Sequence, residues 1–307
     1  MAESLTRPLL QDRELLAPRQ SELKRIVSAF LLSKIATFGA IIFALFLLIT
    51  ILAPVLAPHD PALQDLKRRL APPVGLGMEE ASWEYPLGND NLGRDILSRL
   101  LVGSRVSFVV GVTTILLSAS VGSLIGAISG FYRGPLDNIV MRFVDVWMAF
   151  PGLLLAIAFG AALGPGLVNL ILALSLTNWV VYCRVVRAEV LSIRERDYVM
   201  AARIVGASDL RIILRHVLPN ILAPILVIST LRMGIVIISE ASLNFLGIGV
   251  QSSMPTWGGM LSDGREFMRN AWWLATFPGI AISIVVLGVN LLGDGLRDAL
   301  DPRLRRR

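Results

Sequence analysis

The chain has 307 residues, of which 54% are hydrophobic and 17% charged, with a mean hydropathy of +0.67; soluble domains average roughly 45–50% apolar and about 25% charged. The balance argues against an ordinary soluble enzyme and against a disordered chain, so membrane spans are counted before soluble domains. The net charge of +6 suits either nucleic acid or cytoplasmic membrane loops, and the single cysteine, Cys183, excludes an intramolecular disulfide framework and a cysteine-based zinc site.

Six stretches are long and apolar enough to cross a bilayer: 35–57, 106–130, 143–163, 167–183, 220–239 and 275–293. All are expected as helices, because lipid offers backbone groups no hydrogen-bond partner. The fold class is therefore an all-α integral membrane protein with six transmembrane helices. Segment 1–34 is a tail of mixed charge. The first span, 35–57, is longer than the apolar core of a signal peptide and reads as an anchor. An external loop, 58–105, separates it from a five-helix core at 106–293. In that loop Leu92, Ile96, Leu97, Leu100 and Leu101 recur at helical spacing among Arg94, Asp95, Ser98 and Arg99. The pattern fits an amphipathic interfacial helix or a loop helix packing its apolar face on the core.

Gly122, Gly126 and Gly130 form a stripe in the second span along which another helix can approach. Asp145, three residues after Arg142, opens the third span, where a carboxylate near a helix N-terminus is favourable. Asn178 in the fourth span suits interhelical hydrogen bonding. Arg232 lies mid-span, where a charge is costly unless paired or hydrated. Glu240 follows eight residues later, a little over two turns on, so roughly on the same face. The pair marks a candidate pathway in which Arg232 attracts a peptide carboxylate; a structural pairing of Arg232 with a partner subunit stands beside that reading. The external segment 240–274 carries Pro255, Gly258, Gly259 and three tryptophans. Trp272 and Trp273 read as an interfacial belt, and Trp257 stays open between the belt and a substrate entrance. The basic C-terminus is 294–307.

With the N-terminus placed in the cytoplasm, 19 of the 29 Lys+Arg fall in inside segments and 7 in outside ones. The bias puts both termini in the cytoplasm. Lys67, Arg68 and Arg69 in the first outer loop run against it, and long loops are often translocated despite charge.

The inside loop 187–219 is longer than a tether needs and has its own helical pattern. Ala201, Ala202, Ile204 and Val205 form one short helix that Gly206 breaks; Ser208 or Asp209 can cap the next. Leu210, Ile212, Ile213, Leu214 and Val217 follow, and Pro219 falls at the start of the fifth span. The loop either inserts small and apolar faces, rimmed by Arg203, Arg211 and Arg215, into a groove on a soluble partner, or packs against the bundle.

The stretch AARIVGASDLRIILRHVLPN resembles the EAA loop of ABC-importer permeases, with Ala201, Ala202, Gly206, Leu218 and Pro219 in register. Met200 stands where that pattern has glutamate, and His216 where it has isoleucine. The stretches PLGNDNLGRDILSRLLVGSRVS, FLGIGVQSSMPTWGGML and NLLGDGLRDALDPRLR resemble the C-type partner of dipeptide/oligopeptide/nickel permeases, so the likeness runs from about residue 86 onward. The resemblance implies a type I importer core, a second, homologous permease subunit, two cytosolic ATPase subunits that bind ATP and magnesium, and an external solute-binding protein. It places the ATPase-coupling helix at Gly206–Arg215, thus on Ala207, Ser208, Asp209, Leu210, Arg211 and Arg215, with Ala201, Ala202, Gly206 and Pro219 supporting it. It also turns segment 244–274 toward the binding protein.

The chain contains no G-x-x-x-x-G-K-[ST], H-E-x-x-H or G-x-S-x-G motif, so neither ATP hydrolysis nor a catalytic residue is expected of it. His59 and His216 fall on opposite sides of the membrane, which leaves no metal site built by this chain alone. The expectation is a permease subunit in a bacterial inner membrane, among lipid and without nucleic acid, importing di- or oligopeptides by alternating access. Nickel or another solute of the same family is the alternative. An ion-coupled secondary transporter, which would want acidic residues deep in the bundle, and a non-transporting membrane scaffold are the rivals of other classes.

Overall fold

The computed structural model describes residues 30–75, 81–250 and 254–300. Most of the N-terminal tail and the arginines at 303 and 305–307 lie outside the described residues. Five helices are long and apolar enough to span a membrane, and a bent pair adds a sixth candidate. In chain order they are α1 (Lys34–Leu56), α2 (Ile96–Tyr132), the bent pair α3 (Gly134–Met148) and α4 (Gly152–Leu163), α5 (Leu167–Ile193), α7 (Asp209–Phe245) and α9 (Trp273–Leu300). Two short helices, α6 (Asp197–Ile204) and α8 (Trp257–Gly264), lie in the connections.

Local chemistry sets the helix starts. The Ser33 hydroxyl accepts from the Ala36 amide at 3.3 Å ahead of α1, and the Asp95 carboxylate accepts from the Ser98 amide at 2.9 Å ahead of α2. The helical pattern read ahead of the second span is continuous with that span. Once Asp95 caps, nothing breaks the helix, and Ile96 through Tyr132 run unbroken for 37 residues. That is about 55 Å, well beyond the roughly 30 Å hydrocarbon thickness. Leu97, Leu100 and Leu101 instead line an apolar groove with α1 and α9.

The third span, expected at 143–163, is not one helix. Its two halves bend by 88° at Ala149–Phe150–Pro151. Pro151 has no N–H and biases Phe150 away from helical geometry.

Glycine contacts fix the helix directions. Gly122 faces the Trp179 carbonyl and Tyr182, Gly126 faces the Cys183 backbone, and a Cβ on Gly130 would stand 2.9 Å from the Arg187 carbonyl oxygen. The contacted residues advance together, so α2 and α5 run parallel. Ser107 meets Glu240 and Gly111 meets Met233, so α7 is antiparallel to α2. Gly234 meets Asn290 and Gly293 meets Thr230, so α9 is antiparallel to α7; Gly39 meets Leu291 and Gly295 meets Ala36, so α1 is antiparallel to α9. Because α2 and α5 run the same way, α3 and α4 together carry the chain back from one end of the bundle to the other. The first and last described helices thus have their outer ends, Lys34 and Leu300, on the same side.

The tryptophans divide. Trp272 is partly exposed, as a belt residue would be, but Trp273 is only 3% exposed and belongs to the core. Its position one residue later turns it inward, against Leu274 and its neighbours. Trp257 is also buried: its Nε1–H donates to the Leu100 carbonyl at 2.9 Å and its ring packs on Phe46 and Gly103.

Candidate functional site

Two features stand out, one at the end of the bundle where Lys34 and Leu300 lie and one in its middle. The first is the connection from α5 to α7. Its base is a small core in which Val199, Ile212 and Val217 pack against Phe131, Val186, Val190 and Ile193. Arg194 donates to the Phe131 carbonyl, and the Arg203 guanidinium sits 5.6 Å over the Phe131 ring. Arg133 pairs with Glu195 at 2.8 Å. Burial, with Arg133 next in effect, lowers the Arg194 guanidinium from its ordinary value.

On that base α6 ends in a Schellman turn. The Ala207 amide donates to the Ala202 carbonyl and the Gly206 amide to the Arg203 carbonyl, both at 3.0 Å. Gly206 has φ +85°, a left-handed conformation that a side chain resists. Ala202 and Ala207 both pack on the small core, the apolar contact that accompanies such turns. Ser208 takes the N-cap position but its side chain makes no cap hydrogen bond, and Asp209 lies inside the helix's first turn. The expected side-chain cap is thus not made.

The turn leaves an apolar tip in the open. Ile204 and Val205 are each 86% exposed and Leu210 is 66% exposed, with Ala201, Ser208, Asp209, Arg211 and Arg215 exposed around them. Arg203 is also exposed, with its guanidinium over Phe131. Ile204, Val205 and Leu214 belong to this surface; the sequence pattern places them on the apolar faces of the loop, but the coupling residues implied by the resemblance leave them out. Pro219 does not begin a fresh span. Residues 209–245 form one helical unit, and a π turn at Ile213–Val217, closed by the Leu218 amide on the Ile213 carbonyl, precedes the proline. Asn220 Nδ2 donates to the His216 carbonyl at 2.6 Å, which satisfies an acceptor in the distorted turn.

The second feature is an open cleft of about 220 Å³ between the α3–α4 bend, α5 and α7. Arg232, half-buried, lines it with Trp147, Thr177, Asn178 and Ser239. Glu240 is elsewhere. It is fully buried between α2 and α7, accepting from Ser107 Oγ at 2.9 Å and Asn244 Nδ2 at 2.6 Å, and Asn244 Oδ1 in turn accepts from the Val250 amide at 2.7 Å. Eight residues amount to two turns plus about 80°, enough to turn Glu240 away from the cleft. The structure therefore does not bring the two charged residues together. Asp145 pairs with Arg184. Asn178 Nδ2 donates to the Leu174 carbonyl of its own helix at 2.8 Å rather than to another helix.

His59 stacks on Tyr85 with ring centroids 4.4 Å apart, and His216 lies beside Tyr198. No group of three His, Cys, Asp or Glu among the described residues is arranged to hold a metal.

Residues 122–306 match the family described as binding-protein-dependent transport system inner membrane component, and residues 21–73 match the N-terminal TM domain of oligopeptide transport permease C. The chain is 42% identical over 285 residues to a di/tripeptide transport system permease protein of Pseudomonas aeruginosa, covering 93% of each. It is 44% identical over 273 residues to a dipeptide transport system permease protein of Alkalihalophilus pseudofirmus, covering 89% of this chain and 87% of that one. With a glutathione transport system permease protein of Pectobacterium atrosepticum it shares 40% identity over 300 residues, covering 98% and 96%. The chain belongs to the binding-protein-dependent transport system inner membrane components, multi-pass membrane permeases of bacterial ABC importers that are not themselves the ATPase.

Proposed function

We propose that this subunit forms one half of the pathway of an ATP-driven importer of di- or oligopeptides, paired with a second, homologous permease subunit. Two cytosolic ATPase subunits bind ATP and magnesium, an external binding protein delivers the peptide, and this chain itself carries no cofactor. The observation that carries the coupling role is the exposed apolar tip Ile204–Val205–Leu210 on a rigid base. Exposed aliphatic side chains on an ordered, membrane-proximal turn are stabilised when a partner's groove removes them from water. Arg211 and Arg215 beside them suit an acidic rim on that groove. The side bearing the tip also carries most of the arginine, so we place it, and both termini, in the cytoplasm. Closure of the ATPase pair moves the tip, and through the continuous unit 209–245 that displacement reaches α7 and the cleft. Peptide as the solute is supported by relatives named for peptide transport that align over nearly the whole chain.

The test is Leu210→Asp in the co-expressed complex, followed by ATPase co-purification and uptake of labelled dipeptide. Leu210 is exposed, so the chain should still reach the membrane while both readouts fall at least on the order of 10-fold, the effect of losing one central hot-spot contact. Normal co-purification and uptake would remove the tip from the coupling role.

A further inference from the structure

We infer that Arg232 receives a carboxylate of the solute inside the membrane, so that this subunit favours peptides with a free C-terminal carboxylate at the cleft between the α3–α4 bend, α5 and α7. The inference rests on the peptide reading proposed above. Arg232 is the fifteenth of the 28 residues from Leu218 to Phe245, far from either end of the bundle and too deep for its side chain to snorkel to the surface with ease. An arginine at that depth is expected to face a hydrated cavity or a counter-charge. The cavity is there, about 220 Å³ and open. No counter-charge is: no Asp or Glu is among the residues lining the cleft, and Arg232 makes no ion pair among the described residues.

The neutral groups around it leave the guanidinium as the principal free donor. Thr177 Oγ1 donates to the Leu174 carbonyl, Ser239 Oγ to the Ile235 carbonyl and Asn178 Nδ2 to the Leu174 carbonyl, each at 2.8 Å. These three point their hydrogens back into their own helices. The Trp147 side chain also lines the cleft, but its Nε1–H is buried away from the opening and has no acceptor among the described residues. Glu240, the other charged side chain between Leu218 and Phe245, is held by Ser107 and Asn244 and does not neutralise Arg232. An arginine presents a planar fork of donors that matches a carboxylate in two parallel hydrogen bonds. The rest of the lining, Phe150, Leu153 and Leu155 among it, is apolar, gives small apolar side chains a surface and supplies no competing charge.

Two carboxylates qualify chemically, the peptide's C-terminus and an acidic side chain. The experiment separates them and also separates both from a carboxylate on the partner subunit. The complete complex, with binding protein and ATPases, is reconstituted in vesicles. Uptake is followed for labelled dialanine, dialanine amide and alanyl-aspartic acid α-amide, which keeps only its side-chain carboxylate, each at a concentration saturating the binding protein. Arg232→Gln is expected to slow dialanine on the order of 10-fold, the cost of a charge-assisted hydrogen-bonding partner, while dialanine amide keeps its wild-type rate. Arg232→Lys retains the charge without the fork and should fall between wild type and Arg232→Gln. Alanyl-aspartic acid α-amide should respond to the variants as dialanine amide does.

Equal loss of dialanine and its amide overturns the assignment, as does an unchanged dialanine rate. A response by alanyl-aspartic acid α-amide alone overturns the C-terminal source. Failure of Arg232→Gln, but not Arg232→Lys, to co-purify with the second permease subunit shows that the charge pairs with that subunit instead. A wild-type complex that moves no peptide removes the peptide reading and this inference together, whereas peptide transport indifferent to Arg232 removes only the inference.

Discussion

Asp137 accepts three side-chain hydrogen bonds inside the bundle. Its carboxylate accepts from Arg187 Nε at 2.5 Å and Nη2 at 2.6 Å, and from Ser129 Oγ at 2.5 Å. It lies in the first turn of α3, where the helix dipole also favours a negative charge. Three helices meet on this one group: Ser129 comes from α2 and Arg187 from α5. Removing one partner of a buried pair leaves the other charge uncompensated, at about 3–5 kcal/mol when burial is complete. The Arg187 side chain is 29% exposed, so some solvation returns and the expected cost of Asp137→Asn is lower, about 1–3 kcal/mol. The measurement is the thermal midpoint of the purified complex, which should fall by several degrees; Ser129→Ala should lower it less. An unchanged midpoint for Asp137→Asn would mean the cluster does not hold the helices together. None of this was legible in sequence, because the arginine is 50 positions from the carboxylate and no periodicity links them. Trp273 was hidden in another way: a tryptophan at the edge of a span suits a belt until neighbouring helices determine which way it points.

At the scale of elements, regular spacing was legible and breaks were less so. The glycines at 122, 126 and 130 announce a close helix approach by their interval alone, and α5 occupies that stripe. What spacing could not supply was the partner or its direction. The third span shows the opposite failure: hydropathy stays high across Phe150–Pro151, so a window laid over it reads one helix where the backbone turns by 88°. Gly206 was legible as a break, and its two functions in the structure lead to distinct outcomes. A Cβ at Gly206 meets nothing within 4 Å, so Gly206→Ala costs only the left-handed backbone, about 1–2 kcal/mol. A Cβ at Gly126 strikes the α5 main chain at Cys183, and the backbone cannot move aside as a flexible side chain would. Gly126→Ala forces α2 and α5 apart, an overpacking cost of about 1–3 kcal/mol on the most extensive helix pair. The two variants are therefore expected to fail differently. Gly126→Ala should lower the yield of folded complex in detergent. Gly206→Ala should leave the bundle intact while ATPase co-purification falls. A shared loss of folded yield would show that the Gly206 turn is needed for the bundle itself.

For the whole molecule, the parallel run of α2 and α5 decides the number of crossings. A bent pair of helices can be one broken span or a loop that enters and leaves by the same face. Were α3 and α4 such a loop, α5 would begin at the end where α2 stops, and the two would be antiparallel. They are parallel, so the pair carries the chain across, giving six crossings with the ends of α1 and α9 together. The proposed orientation rests on lysine and arginine: Lys34, Arg133, Arg194, Arg196, Arg203, Arg211 and Arg215 all belong to the end shared by Lys34 and Leu300, the end that the positive-inside rule expects to be cytoplasmic. The chain's own chemistry makes this easy to measure, because its one cysteine, Cys183, is buried. Single cysteines at Trp83 (82% exposed), Met268 (52% exposed) and the exposed Arg196 can each be challenged in intact spheroplasts with a maleimide that cannot cross the membrane. Trp83→Cys and Met268→Cys should label at once, and Arg196→Cys only after the membrane is opened. Labelling of Trp83→Cys and Arg196→Cys from the same side would turn α3 and α4 into a loop and leave five crossings. Labelling of Arg196→Cys alone in intact cells would keep six crossings but invert the molecule, placing the Ile204–Leu210 tip where no cytosolic ATPase could reach it.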